Sequence, residues 1–573
     1  MKIRDIVPVA LGREPADVLV KNARIVNVFT GGIEEGNIAL YRKRIAGVGD
    51  YTEGREIIDL DGSFVVPGFI DAHLHIESSM VSPREFAHAV LPKGTTTVIA
   101  DPHEIANVLG TEGLDYLIRS TEGIPLNVYI ALPSAVPATN LETAGARLGP
   151  EDMVSFVDHY PRRIIALGEV MNFPGVLNID NELIAKIEIL RHKYKKIDGH
   201  APGLRGKELN AYVSAFIRSD HECTTIAEAL EKVSRGMQVF IREGTAAKNL
   251  DALIGAVTPE NHMFFSFCTD DREPGDIVRE GHINYLVKRA VETGMDPIMA
   301  VRMATINTAR HYNLRSMGAI APDYKADMVV LDSLQNFEIK MVIKDSKVVA
   351  RDGRLVAPIS GDYGAPPEHL GAVVVPDITD DMLKVPQPDG EIVIIGMREG
   401  DLFTERIVEP ATVKNGQAIA DPSRDIAKVA VLDRHNGKHF TVGFARGFGI
   451  RHGALATTIG HDSHNLCVLG MNDEDMLIAI RAVADANGGI AVVVDGEVRA
   501  LLELPIAGLM SNMPLGDVVD SLEQLKQEIS GLGADRDILM SLHFIQLAVI
   551  PSIKITDLGL IDVMKQEFIN LSS

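Results

Sequence analysis

The chain has 573 residues, 46% hydrophobic and 24% charged, with a net charge of −23 at pH 7. It is too long for one ordinary core and predicts roughly two to four domains. The acidic balance, with no basic cluster along the chain, argues against a nucleic acid polymer or an anionic membrane as main partner, and no apolar stretch reaches the roughly 18–20 residues of a membrane span. Three cysteines without C-x-x-C spacing, Cys223, Cys268 and Cys467, predict no disulfide framework. The N-terminus, Met1-Lys2-Ile3-Arg4-Asp5-Ile6-Val7-Pro8, shows no long apolar leader segment. A reducing, cytoplasmic setting is expected.

From 17 to about 66 the chain reads as short strands punctuated by Gly31-Gly32, Gly36-Asn37 and Asp61-Gly62, a unit too small to bury a good core alone. Similar strands return at 326–332 and 340–349. The two pieces are expected to close one small β-sandwich, 1–66 with 321–370, around an inserted domain; two unrelated hairpins are the alternative. Within 67–320, apolar runs alternate with helical stretches, at 65–75, 97–101, 127–133, 164–169, 196–200, 216–221, 238–243 and 264–270. Runs buried on both faces suit a parallel sheet, and eight such units predict a (β/α)8 barrel. Pro366, Pro367, Pro376, Pro386 and Pro388 mark a linker. An α+β domain over 371–573 follows, with strands at 391–395 and 490–494 and helices at 476–486 and 518–530.

The informative residues stand where the barrel runs stop, the face at which barrel active sites lie. The first run ends in Pro67-Gly68-Phe69-Ile70-Asp71-Ala72-His73-Leu74-His75, and strand alternation turns His73 and His75 the same way. The later runs end in Asp101 with His103, Pro133-Ser134, Glu169, His200, His221, Glu243, and Asp270 with Asp271. His73, His75, Glu169, His200, His221 and Asp270 make a six-residue set suited to two divalent metals bridged by a carboxylate and a hydroxide. Taken singly, each has an ordinary reading: Glu169 as a salt-bridged carboxylate, His200 as a turn residue, His221 as a helix cap. Spacing leaves Asp270 and Asp271 both open as last-strand ligand; Asp270, directly after Phe267-Cys268-Thr269, is preferred. An aspartate beside the hydroxide can take its proton and pass it on. Asp101-Pro102-His103-Glu104 is suited to hold substrate or a further metal, or to open a helix with an acidic first turn; Asp101, Glu104 and Asp271 are the candidate substrate-binding residues.

The 67–75 stretch resembles the opening signature of the amidohydrolase superfamily. Met303-Ala304-Thr305-Ile306-Asn307-Thr308-Ala309, Gly318-Ala319-Ile320-Ala321-Pro322 and Ala326-Asp327-Met328-Val329-Val330-Leu331-Asp332 resemble its return from barrel to sandwich. Other stretches are similar to the adenine deaminase branch: His75-Ile76-Glu77-Ser78-Ser79-Met80, Asp101-Pro102-His103-Glu104-Ile105-Ala106-Asn107, Gly168-Glu169-Val170-Met171-Asn172, Gly199-His200-Ala201-Pro202-Gly203 and Cys268-Thr269-Asp270-Asp271-Arg272. So are Gly460-His461-Asp462-Ser463-His464-Asn465 and 504–511 in the last domain. The resemblance covers nearly the whole chain. It implies hydrolytic deamination of adenine to hypoxanthine and ammonia in purine salvage. A metal-activated hydroxide would attack C6 at a pair of divalent ions, Mn or Fe first and Zn as the alternative. Asp270 would relay the hydroxide proton to the departing amine.

Two departures matter. Many superfamily members bridge their metals with a carboxylated lysine where this chain has Glu169. Cytosine-type deaminases carry His-x-x-Glu after the fifth strand, whereas His200 is followed here by Ala201-Pro202-Gly203, so the proton donor to the ring stays open among Glu243, His103, Glu104 and Glu222. Glu243 and His103 join Asp270 as candidate catalytic residues. Two rival readings are a ring-opening amidohydrolase of the hydantoinase or dihydroorotase kind, which typically shows lysine at the Glu169 position, and a scaffold that has lost its ligands. His461 and His464 could build a second site, close over the barrel mouth or form a subunit contact. A homodimer or larger homo-oligomer is the expected assembly.

Overall fold

Eight parallel strands form the wall that carries the candidate ligands: β1 (Phe69–Leu74), β2 (Thr95–Ala100), β3 (Asn127–Leu132), β4 (Ile164–Val170), β5 (Lys196–Gly199), β6 (Ser219–Asp220), β7 (Gln238–Arg242) and β8 (Phe265–Cys268). The computed structural model describes residues 2–359, 368, 370–398, 403–534 and 537–572. Strands β1 to β5 pair in order as one parallel sheet and β6 to β8 as another. Two seams join them. At one, the Arg218 N–H donates to the Ile197 carbonyl at 3.0 Å; at the other, the Asp270 N–H donates to the His73 carbonyl at 3.1 Å and the His75 N–H to the Asp270 carbonyl at 3.3 Å. The second seam therefore runs through three of the candidate ligands.

Alternation explains why both faces of these strands are apolar. Ile70, Ala72, Ile99, Ala131, Ala166, Phe240 and Cys268 share the barrel interior. Val98, Ile130 and Leu167 instead pack outward against helices. Those helices start at the expected signals: Asp180 caps Asn181–His192 and Thr225 caps Ile226–Ser234, each side chain accepting a backbone N–H of the first turn.

Strands from both flanks of the barrel pair in one nine-stranded sheet. The joint is antiparallel, Phe64–Pro67 against Met328–Leu331, with Val65 opposite Val330. Val65 and Val330 face a core shared with Val20, Ile25, Ile38 and Ile343. Their neighbours Phe64, Val66, Val329 and Leu331 face the barrel helices. Folding also gathers basic side chains dispersed in the sequence, among them Arg44, Arg163, Lys325 and Lys344, along a cleft between this sheet and the barrel floor. Acids answer several of them: Arg44 meets Asp323 at 3.1 Å and Lys344 meets Asp327 at 3.2 Å.

The last part of the chain builds an eight-stranded sheet with helices Asp473–Asp485 and Leu515–Gly531, a β-rich version of the expected α+β domain. Of the linker prolines, Pro366 and Pro367 lie outside the described residues, and Pro386 sits in a two-residue strand paired with Gln417–Ala418. This domain docks on the barrel mouth: the Ser511 N–H donates to the Met80 carbonyl at 2.8 Å and the Leu515 N–H to Glu85 at 3.0 Å. Among the described residues, no helix is long and apolar enough to cross a membrane.

Candidate metal centre

Glu169 organises the site. Its Oε1 lies 3.4 Å from His75 Nε2 and 3.8 Å from His73 Nε2. Its Oε2 lies 2.5 Å from His200 Nδ1 and 3.2 Å from His221 Nε2. Asp270 Oδ1 joins the first side, 3.5 Å from His73 Nε2 and 3.2 Å from His75 Nε2. One carboxylate thus faces two donor sets, one through each oxygen. All six predicted ligands come together, buried except for the partly exposed His200.

Two β-bulges aim these side chains. In β1, Asp71 pairs with Val98 but Leu74 with Ala100, so one extra residue lies between them. In β4, the register with β5 shifts between Leu167 and Val170. A bulge reverses which face the following residues address. Ile70 and Ala72 point into the barrel, yet after the bulge His73 and His75 do so too. Glu169 would likewise point outward in strict alternation from Ala166. Gly168 completes the arrangement, since a Cβ there would stand 2.1 Å from Asp101 Oδ2, the atom that accepts the Glu169 N–H at 2.9 Å.

The donor set fits divalent metal ions. Ligand atoms sharing an ion at roughly 2.0–2.2 Å stand about 3–4 Å apart, as these do except for His200 Nδ1 and Glu169 Oε2, which are in direct hydrogen-bond contact at 2.5 Å. Buried His73 Nε2, His103 Nδ1 and Asp101 Oδ1 have no hydrogen-bond partner among the described residues, an arrangement that costs free energy unless something else satisfies them. His75 Nδ1 lies 2.8 Å from the Asp101 carbonyl; donating there leaves Nε2 free to ligate. Imidazole and carboxylate without thiolate leave Mn, Fe, Co and Zn all chemically suitable.

Two sequence families match the chain: the amidohydrolase family over residues 64–349 and the adenine deaminase C-terminal domain over 401–567. The adenine deaminase of Thermosipho africanus is 60% identical over 572 residues, covering 100% of this chain and 99% of that protein. That of Kosmotoga olearia is 56% identical over 574 residues, again covering 100% and 99%. The chain belongs to the adenine deaminase family.

The C-terminal domain of this adenine deaminase family member reaches into the centre. His461 Nδ1 lies 2.8 Å from Glu104 Oε1, and His464 Nε2 contacts Glu104 Oε2. The loop therefore closes over the barrel mouth. His103 stands between the two parts: Nδ1 is 3.6 Å from Glu169 Oε1 and Nε2 is 3.4 Å from Glu104 Oε1. Asp101 accepts the Glu169 N–H, and His103, Glu104 and Asp271 line the same cavity as the cluster. Glu243 does not. Its Oε1 accepts the Leu250 N–H at 2.9 Å, holding a neighbouring turn. Its place is taken by a residue that the sequence reading missed. Arg242 donates to Asp270 Oδ2 at 2.5 Å and to both oxygens of Glu222. Burial alone would raise the Asp270 carboxyl; the Arg242 guanidinium and the histidines outweigh it and hold the group well below the ordinary carboxylate range.

Lys232 braces the strand ends that carry His200 and His221. Fully buried, its Nζ donates to the Ala201 carbonyl at 2.7 Å, Asp220 Oδ2 at 3.0 Å and Glu228 Oε1 at 2.8 Å. Burial works against the Asp220 charge, but Lys232 prevails and the carboxyl falls to about 2. A depressed carboxylate contributes stability above its unfolded value, and the contribution is lost as pH falls through the folded one. Lys232→Met leaves two buried carboxylates uncompensated and should cost about 3–5 kcal/mol, read by denaturant unfolding at pH 7. The deficit should shrink as pH falls from about 4 toward 2.

Proposed function

We infer that the protein hydrolyses adenine to hypoxanthine and ammonia. The observation that carries this reading is the Glu169 carboxylate facing two donor sets beneath the family's own C-terminal domain. Two divalent ions held there, Mn or Fe first and Zn as the alternative, would lower the pKa of a shared water and make hydroxide available at neutral pH. His73, His75 and Asp270 would hold one ion, His200 and His221 the other, with Glu169 shared.

The remaining work falls to side chains of this chain. Asp270 takes the proton of the nucleophile and hands it to the departing amine. Arg242, with Glu222 behind it, fixes the Asp270 carboxylate and keeps it ionised for that task. His103, at the second strand end, would protonate the ring; Glu104, kept ionised against its burial by His461, His464 and His103, would orient it. Glu243 holds its turn and is given no proton to move. Met540, Phe544, Leu547 and Ile550 roof the cavity and exclude water. The similarity to adenine deaminases over the full chain supports a free base over a nucleoside as substrate. The three buried, free thiols support a reducing, cytoplasmic setting.

The test is ammonia release from free adenine by protein reconstituted with Mn, Fe or Zn, and its loss on chelation. Release should require about two ions per chain. A protein that left adenine untouched in every metal form but opened a cyclic amide would belong with the hydantoinase-like chemistry instead, a reading that Glu169 in place of lysine opposes.

A further inference from the structure

One carboxylate in the cavity has no task so far. Asp462, from the loop of the C-terminal domain, is buried with 3% exposure and lines the same cavity as Glu169 and Asp270. Its Oδ2 has no hydrogen-bond partner among the described residues. Its Oδ1 lies 3.9 Å from His103 Nε2 and 4.0 Å from His461 Nδ1, too far for a hydrogen bond. A buried carboxylate left in this state is expensive. The backbone around it is firmly held: His435 Nε2 lies 2.8 Å from the Ser463 carbonyl, Arg434 donates to the His464 carbonyl, and Phe544 stacks on His461 at 4.3 Å. The loop is fixed and its carboxylate is open, the arrangement of a binding group awaiting a donor.

Position narrows the donor. The His103 ring has Nδ1 3.6 Å from Glu169 Oε1 and Nε2 toward Asp462. Asp462 thus lies one imidazole ring beyond the metal ligands, along the same cavity. A purine with C6 at the metal end would bring its five-membered ring toward that far end. Neutral adenine carries a single ring N–H, on the five-membered ring; its other ring nitrogens only accept. A carboxylate only accepts, so the two are complementary. In a nucleoside, N9 bears the sugar and this N–H is gone.

We propose that Asp462 accepts a hydrogen bond from the five-membered-ring N–H of the purine and so selects the free base over N9-substituted adenines. This rests on the adenine reading above. Asp462 is a specificity residue supplied by the C-terminal domain to a cavity whose candidate metal ligands all come from the barrel.

The test compares kcat/KM for adenine and 9-methyladenine in the wild type, Asp462→Ala and Asp462→Asn, with metal content measured for each. The wild type should prefer adenine strongly. Asp462→Ala should lower kcat/KM for adenine by about 10- to 100-fold, the worth of a charge-assisted hydrogen bond, while leaving 9-methyladenine within about 3-fold, so the preference collapses. Asp462→Asn, isosteric and still able to accept through its amide oxygen, should lie between. Equal losses on both substrates, or an unchanged preference in both variants, would overturn the assignment. So would a wild type that turns over 9-methyladenine as well as adenine. If the wild type released no ammonia from adenine, the functional reading would fail before this comparison began.

Discussion

Glu169→Gln should strip the protein of metal and of deaminase activity together. The amide keeps the shape of the carboxylate but loses its charge, and only one of its two heteroatoms can still ligate. The other becomes an N–H donor aimed at imidazole nitrogens. Since Oε1 faces His73 and His75 while Oε2 faces His200 and His221, either orientation of the amide disables one side. Metal content, read by elemental analysis, should fall from about two ions per chain to one or fewer, and the rate should drop by on the order of 10³-fold or more, since water without its metal is a poor nucleophile near pH 7. A variant that kept both ions and its turnover would show that Glu169 is a structural carboxylate.

Asp270→Asn should separate metal binding from proton transfer. Oδ1 sits with the His73 and His75 nitrogens and Oδ2 with Arg242. Asparagine can keep an oxygen toward the metal side, so most of the bound metal should remain. It cannot accept a proton at a useful pKa. The expected result is a fall in kcat of about 10²–10⁴-fold, the usual worth of a positioned general base, with a much smaller change in KM. Equal loss of metal and rate would instead make Asp270 a ligand alone.

Much of this site was legible in the sequence because barrel strands end where chemistry begins. All eight predicted strands occur, and six candidate ligands separated by up to 197 positions converge. The failure at β7 is instructive. Phe240 points into the barrel and Ile241 outward, so a period of two carries Arg242 inward and Glu243 outward. The arginine lies inside the run and the carboxylate at its end, so attention to run ends selects Glu243 and passes over Arg242. The bulges in β1 and β4 leave no signal of their own, because an extra residue is visible only against its paired strand. His461 and His464 stood out as a motif. Asp462 did not, since an unsatisfied carboxylate becomes apparent only once its neighbours are placed.

The seam between β8 and β1 joins the two ends of the barrel at the candidate metal centre. His73 and Asp270 bond to each other through their backbones while their side chains sit among the same donor atoms. No partial barrel offers that donor set, because its two halves come from opposite ends of the wound chain. An ion that settles there acts as a clasp on the ring and reports that the ring has closed. A divalent ion held by these side chains would add a bond across the joint at which the barrel closes, close to the site of its chemistry.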